Sequence, residues 1–348
     1  MERIPFSPPS IKPILNNTIR PLWSVMIPVF NCSEFMMDAL QSVLMQDMGE
    51  DLMQIEVIDD CSTDADVEAL VRKIGQGRVK YYRQHKNVGS LRNFETCINR
   101  SQGELVHLLH GDDRVKMGFY KNFSKLFQTY PQAGASFCRY HSIDETGNIM
   151  KEGKFKNNRE GILKDGLLIM AGEQPTQYVA TVVKREVYEK LGSFYGVVFG
   201  EDWEMWVRIA KNYPIAYTPA LLADYRRHIG SISRPKKETG QNARDLATTI
   251  FTIEKHLSEN MKHLMVGQKR MCRINCIKSA TKIWKQTNDR KKADELVRLA
   301  LSIKTNDLYI YYLVMKFYVK VIFNIKNDSP SFFENFHRKG KMSSNQTP

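Results

Sequence analysis

Carboxylates able to share a cation stand in two short runs of this sequence. One is Asp59-Asp60-Cys61-Ser62-Thr63-Asp64 and the other His110-Gly111-Asp112-Asp113-Arg114, while an earlier segment, Pro28-Val29-Phe30-Asn31, closes an apolar stretch. Neighbouring carboxylates repel one another and lose hydration on burial, so packing alone explains them poorly. Hard oxygen ligands suit Mg²⁺ or Mn²⁺, and a diphosphate completes the shell of such an ion. Helix capping is the plainer account: Asp59 and Asp60 suit a helix start near Asp64, and Asp112 and Asp113 one near Met117. Neither GxGxxG nor GxxxxGK[ST] occurs in the chain. Diphosphate charge would therefore fall to a metal, to basic side chains such as Arg92 or Arg227, or to isolated backbone amides.

Such groups meet only if strands end where they stand. The apolar run Trp23–Phe30 reads as a strand, Ser33 as the cap of a helix over Glu34–Gln46, and Gln54–Ile58 as the next strand. The alternation continues through helix Asp64–Lys73, strand Val79–Arg83, helix Ser90–Arg100, strand Glu104–His110, helix Met117–Tyr130 and strand Ala135–Tyr140. It predicts an α/β fold with a doubly wound, mostly parallel sheet, whose ligands sit at the carboxyl ends of the strands. All three polar clusters fall at such ends. Beyond them a Gly- and Lys-rich stretch, Asp144–Gly161, reads as a hairpin or a mobile loop. Strand Gln177–Val183, helices Arg185–Leu191 and Glu201–Asn212, and a strand near Leu222–Tyr225 follow. After a linker beginning at Pro235, Ala243–Leu257, Gln268–Gln286 and Arg290–Ile303 read as helices.

The 348 residues, 42% hydrophobic and 26% charged, lie inside the globular range and outside the disordered, collagenous and disulfide-rich classes. Net charge is +13. Residues 1–233 hold about 28 basic and about 28 acidic side chains, whereas 234–348 hold about 23 and about 10, so the last third carries the excess. Six scattered cysteines form no CxxC pair, which fits reduced thiols, and Met1–Arg20 lacks the apolar run of a signal peptide. A cytoplasmic protein is expected.

Six segments in order, VMIPVFN (Val25–Asn31), EVIDDCSTD (Glu56–Asp64), NVGSLRN (Asn87–Asn93), HLLHGDD (His107–Asp113), GEDWEMWVRIA (Gly200–Ala210) and YRRHIGSIS (Tyr225–Ser233), resemble the family 2 glycosyltransferases, inverting enzymes of GT-A fold. The resemblance covers roughly residues 22–233. It implies that Pro28, Phe30, Asn31, Asp59, Asp60, Arg92, His110 and Gly111 hold the nucleotide. Asp112, the second Asp of a DxD-like element, would bind a divalent metal (Mn²⁺ or Mg²⁺) together with His228, with Asp113, Glu201 and Arg227 beside them. Asp202 would be the general base that takes the acceptor's proton, and a helix N-terminus should keep its carboxylate ionised. Two positions depart from the family pattern. His110 stands where the first Asp of DxD is usual, and Cys61 where a Gly is usual, a position at which a thiol resists positive φ. The implied partners are a nucleotide-diphosphate sugar, UDP-linked by preference, and a glycan, polysaccharide or lipid-linked acceptor.

This divides the chain into an N-terminal extension (1–21), a GT-A domain (22–233) and a basic helical C-terminal region (234–348). Within the last, Leu308–Ile325 is almost wholly apolar, with Tyr309, Tyr312, Lys316, Lys320 and Asn324 forming one polar stripe. Two central lysines disfavour a spanning helix. A helix lying on an anionic membrane surface, or packed within the tail or against a second copy in a homo-oligomer, fits better. Three competing readings are a catalytically weak homologue that only binds a sugar nucleotide, a nucleotidyltransferase and a nucleic-acid-binding protein. The last is disfavoured because the motif-bearing body is neutral and no nucleic-acid motif is present.

Overall fold

Every residue of Trp23–Val29 is buried, as expected of a largely apolar run covered on both faces. This strand, β1, pairs in parallel with β2 (Met53–Asp59) on one side and β4 (Leu105–Leu108) on the other, and β2 continues in parallel to β3 (Lys80–Arg83). The crossovers are helices α1 (Ser33–Leu44), α2 (Val67–Gly75) and α3 (Ser90–Arg100). Val29 is the register partner of Asp59, so the loops after β1 and β2 leave the sheet side by side. The computed structural model describes residues 2–15, 19–154, 156–228, 230, 239–305 and 307–326. The end of the YRRHIGSIS segment and the linker at Pro235 lie outside the described residues, as does the proposed boundary at 233/234.

The full sheet order is β3-β2-β1-β4-β9-β6-β10-β5. Its second half comprises β5 (Arg114–Val115), β6 (Ala135–Ile143), β9 (Thr181–Lys184) and β10 (Ile215–Arg226). Here β6 and β10 run parallel, while β9 lies antiparallel between β4 and β6. The central sheet with flanking helices is the expected α/β architecture, with a parallel half and a mixed half. β7 (Ile149–Glu152) forms a hairpin with β6 through a turn in which Asp144 Oδ1 accepts from the amides of Thr146 and Asn148, so the hairpin alternative holds for this stretch. β8 (Gly161–Ile162) pairs with β10. β10 is longer than the sequence pattern indicates because Pro219 falls in it. The register slips between Thr218 and Ala223, and such a bulge is where a strand tolerates a residue without an N–H.

Helices α4 (Phe119–Thr129), α5 (Gly166–Gly172), α6 (Arg185–Leu191) and α7 (Glu201–Asn212) cover this half. Trp23, 0% exposed, packs edge-on against Tyr120 of α4 at 5.0 Å and donates from its indole to Ser124 Oγ at 3.0 Å. The contacts divide the chain into two units, Met1–Lys236 with Asp245–Gln268, and Lys237–Arg244 with Lys269–Pro348. Most of α8 (Gln241–His256) belongs to the first, where His256 Nε2 lies 2.7 Å from Glu204 of α7. The second is helical: α9 (Val266–Thr287), α10 (Arg290–Ser302) and α11 (Leu308–Ile322). Arg273, almost fully buried, bridges the first two of these and the link to the third by donating to the Ala300 and Thr305 carbonyls at 2.8 and 2.9 Å.

Candidate functional site

The loops after β1 and β2 lock together. Asn31 adopts φ +49 and Cys61 φ +65, both left-handed, so Cys61 takes the conformation that its side chain disfavours. Ser62 Oγ accepts from the Asn31 amide at 3.0 Å, Asn31 Oδ1 from the Thr63 amide at 2.8 Å, and Asp64 Oδ2 from the Ser33 amide at 2.9 Å. Asp59 and Asp60 are adjacent but do different work. The Asp59 carboxylate is wholly buried, accepting from the Ser62 amide and the Tyr81 hydroxyl at 2.8 Å each and pairing with Arg83. Asp60 accepts from the amides of Val88 and Gly89 at 2.7 and 2.9 Å, and so holds the loop that enters α3. Burial pushes the Asp60 carboxyl above its usual range, against those two amides and the nearby Arg3.

Past the end of β4 the chain turns through the second acidic cluster. The Gly111 amide donates to Pro28 O at 3.2 Å, and a Cβ here would lie 2.6 Å from Val29 Cγ1 and 2.9 Å from Cys32 Sγ, so only glycine brings the turn this close. His110, Asp112 and Asp113 each offer a ligand atom, and these atoms lie within 4.8 Å of one another. His228, beyond β10, places Nε2 2.9 Å from Asp112 Oδ2. The Asp112 carboxyl is raised by burial, but the His228 hydrogen bond and the imidazoles of His110 and His228 outweigh this and hold it below its usual range. Asp113, 1% exposed, is pushed well up by burial and by the Asp112 charge. Its Oδ1 accepts the Arg226 amide at 2.8 Å. Arg226 turns inward, donating to the Asp112 carbonyl and to Asp38 Oδ2 at 2.8 Å each, with its guanidinium 4.9 Å above the Phe35 ring. The residues fit a divalent cation that accepts mixed oxygen and nitrogen ligands: two carboxylates and two imidazoles converge, and among the described residues the buried His110 Nε2 has no hydrogen-bond partner. His110 is stacked on Phe94 at 5.2 Å and packs against Tyr178 at 4.5 Å, and burial keeps its imidazole neutral, the form that ligates metals.

A cleft of about 460 Å³ opens between these loops. Of the residues singled out in the sequence, it is lined by Pro28, Phe30, Asn31, Asp60, His110, Gly111, Asp112 and His228. Phe30, 43% exposed, presents an apolar ring there. Asp59, Arg92 and Arg227 do not line it. Asp59 faces inward, Arg92 is held by Glu95 at 2.7 Å and by the Glu2 carbonyl at 2.8 Å, and Arg227 is exposed with its amide on Ile143. The cleft also takes in residues that the sequence did not single out, among them Arg3, Ile4, Asn87 and Val198. Asn87 opens one of the six segments; nothing in the pattern of residues 2–4 marks them.

Glu201 and Asp202 begin α7, preceded by Gly200 at φ +96. Glu201 Oε1 accepts from the Tyr178 hydroxyl at 3.2 Å. Asp202, 6% exposed, accepts from the Trp203 amide at 2.8 Å and from Gln174 Nε2 at 2.5 Å. Burial outweighs both bonds and raises its carboxyl to about 6. The helix terminus is thus not the dominant influence, although the group remains mostly ionised at neutral pH. Asp202 does not line the cleft, but the Tyr225 hydroxyl feels the charge of both it and the acidic cluster. The Tyr225 hydroxyl is driven up by burial and by the charges of Asp113, Asp112 and Asp202 together, and its ring meets Tyr140 edge-on at 6.3 Å. Gln174 and Tyr140 carry no sequence signal, since single polar or aromatic residues outside a motif are ordinary.

The pattern described as Glycosyl transferase family 2 matches residues 24–192. Over 221 residues the chain is 32% identical to the putative teichuronic acid biosynthesis glycosyltransferase TuaG of Bacillus subtilis, covering 62% of this chain and 83% of that protein. Its fold is similar to that of S. aureus TarS in complex with UDP-GlcNAc, with TM-score 0.61 at 14% identity over 85% of this chain and 89% of the other. It is also similar to the mannosyltransferase PcManGT of Pyrobaculum calidifontis in complex with GDP-Man and Mn²⁺, with TM-score 0.55 at 17% identity over 92% and 91%.

Proposed function

The chain belongs to glycosyltransferase family 2, and we propose that it transfers a sugar, with inversion, from a nucleotide-diphosphate donor to a hydroxyl of a glycan, polysaccharide or lipid-linked acceptor. The observation that carries this reading is the convergence of His110, Asp112 and His228 in a cleft that Phe30 and Asp60 also line, with Asp113 buried beside them. Pro28, Phe30, Asn31 and Asp60 receive the nucleoside, and Gly111 lets the turn after β4 pack against Val29 and Cys32 at the wall of the cleft. Asp59 acts from behind, holding the turn that presents Asp60. A UDP-sugar is favoured, in keeping with the ligand of TarS, and the polysaccharide acceptor with the name of TuaG.

Asp112 and His228 would hold a divalent cation, Mn²⁺ or Mg²⁺, with His110 beside them. When bound, that ion neutralises charge developing on the departing diphosphate. Asp202 accepts the proton of the acceptor hydroxyl as the acceptor oxygen attacks the anomeric carbon, and Gln174 aims the carboxylate. A carboxyl raised to about 6 is a stronger base than an ordinary aspartate yet stays available at neutral pH. Tyr140 and Tyr225 meet edge-on, and both hydroxyls feel the charges of Asp202 and Asp113.

The transferase domain in this reading spans 22–233, with 1–21 and 234–348 as flanking regions. The protein works in the cytoplasm, and its tail rests on an anionic membrane face. Among the described residues no helix is long and apolar enough to cross a membrane. On α11 only Ile310 and Phe317 are buried, while Leu308, Tyr311, Met315 and Ile322 are more than half exposed, next to Lys316 and Lys320. Such a surface suits the interface of an anionic bilayer, and a second copy of the chain is the alternative cover. A thermal-shift panel of UDP-, GDP- and ADP-sugars with Mn²⁺ tests the donor assignment: stabilisation by a UDP-sugar that requires the metal is expected, and no response to any of them would overturn it.

A further inference from the structure

Residues 2–15 carry four prolines, Pro5, Pro8, Pro9 and Pro13, and form neither helix nor strand. Proline fixes φ and lowers the entropy lost when a segment is laid down in one extended path. The path here is well anchored. The Ser193 and Gly196 amides donate to the carbonyls of Pro9 and Pro5 at 2.9 and 2.8 Å, Arg185 donates to that of Lys12 at 3.1 Å, and Ile11 is 3% exposed. Gly192 runs so close beneath it that a Cβ would lie 2.8 Å from Pro8 Cβ, and its φ of +78 also excludes most side chains. This strap ends at the cleft. Arg92 Nε holds the Glu2 carbonyl at 2.8 Å, and Arg3 donates to the Asn87 carbonyl at 3.3 Å and to Asn87 Oδ1 at 2.5 Å. Asn87 in turn donates to the Asp60 carbonyl at 3.1 Å, so Arg3 sits on the loop that Asp60 organises.

We propose that this strap is a wall of the donor site, and that Arg3 is a specificity-determining residue for the nucleoside part of the donor. The inference rests on the nucleotide-sugar reading above. Arg3 and Ile4 both line the cleft, together with Phe30, Asp60 and Gly89. A guanidinium has five N–H groups, and among the described residues the hydrogen bonds of Arg3 are the two to Asn87, which leaves donors for a ligand. The exocyclic oxygens of uracil and guanine accept from such donors, whereas the exocyclic group of adenine is an amine, itself a donor, and leaves only ring nitrogens to accept. Arg3 therefore favours bases with carbonyl edges, and Ile4 supplies apolar contact beside them.

Titration calorimetry with UDP, GDP and ADP, in the presence of Mn²⁺, tests this on the full chain and on Arg3→Ala and Arg3→Lys. Loss of a charge-assisted hydrogen bond predicts UDP binding weakened ~10-fold or more in Arg3→Ala, a smaller loss in Arg3→Lys, and a narrower preference for UDP over ADP. The melting temperature of the nucleotide-free variants should match that of the parent, because Arg3 is exposed. Unchanged or tighter UDP binding by Arg3→Ala would overturn the proposal, tighter binding meaning that the strap occupies space the nucleotide needs. A parent chain that binds no nucleotide would instead remove the donor reading itself, and the inference with it.

Discussion

His228 Nε2 stands 2.9 Å from Asp112 Oδ2, although 116 residues separate them. The pairing exists because β10 and β4 both deliver their C-terminal ends to the same edge of the sheet, and Arg226 ties the two ends together through the Asp112 carbonyl and the Asp113 carboxylate. Whether His228 ligates the cation or orients Asp112, its loss weakens the metal site. His228→Ala should raise the Mn²⁺ concentration needed for half-maximal donor binding by ~10–100-fold, and Asp112→Asn should abolish the metal dependence. Calorimetry at graded Mn²⁺ reads both.

Asp202→Asn separates catalysis from binding. Turnover should fall ~10²–10⁴-fold, as for loss of a general base, while the affinity for donor stays within about twofold. The folded state raises the Asp202 carboxyl from 3.8 to about 6, so above that range the ionised group opposes folding. The neutral amide removes this cost, and Tm at neutral pH should rise or hold. A fall in Tm alongside lost activity would point to a structural role instead.

The same shift sets a pH profile. The base acts only when ionised, so kcat/KM, which reports the free enzyme, should decline as pH falls through about 6. The Gln174 hydrogen bond pulls the carboxyl down, and Gln174→Leu should therefore move this acidic limb to higher pH. A variant with reduced kcat but an unmoved limb would show that Gln174 does not act through Asp202.

Cys61 stores backbone strain at φ +65. Cys61→Gly removes the clash of a Cβ in the left-handed region, worth about 1–2 kcal/mol, and gives back part of it as greater freedom of the unfolded chain. A net gain in stability of about 0.5–1 kcal/mol is expected by urea denaturation, with donor binding unchanged.

Placing a charge on the exposed face of α11 tests the membrane reading. Tyr311→Glu and Met315→Glu, at positions 56% and 59% exposed, should leave the fold intact and abolish co-flotation with vesicles rich in anionic lipid. Loss of a dimer in these variants, with no flotation by the parent, would assign the face to a second copy.

Much of this was legible in the sequence because it depends on local order. The parallel half of the sheet follows from apolar runs alternating with amphipathic helices, and the clusters after Val29, Asp59 and Leu109 fall where such strands must end. Composition along the chain likewise separates the neutral body from the basic tail. Adjacent residues of an extended chain point to opposite sides, so Asp59 and Asp60 look equivalent until the sheet fixes which side is the cleft. By the same alternation Arg227, singled out in the sequence, is exposed, while its neighbour Arg226 is buried as a brace. Only the fold brings Arg3, Asn87 and Asp60 together, or places Gln174 on Asp202, because these contacts join segments far apart in the chain that carry no shared periodicity. The sequence alone thus determined which groups stand at the strand ends; long-range packing decided which of them line the cleft and which brace its loops from behind.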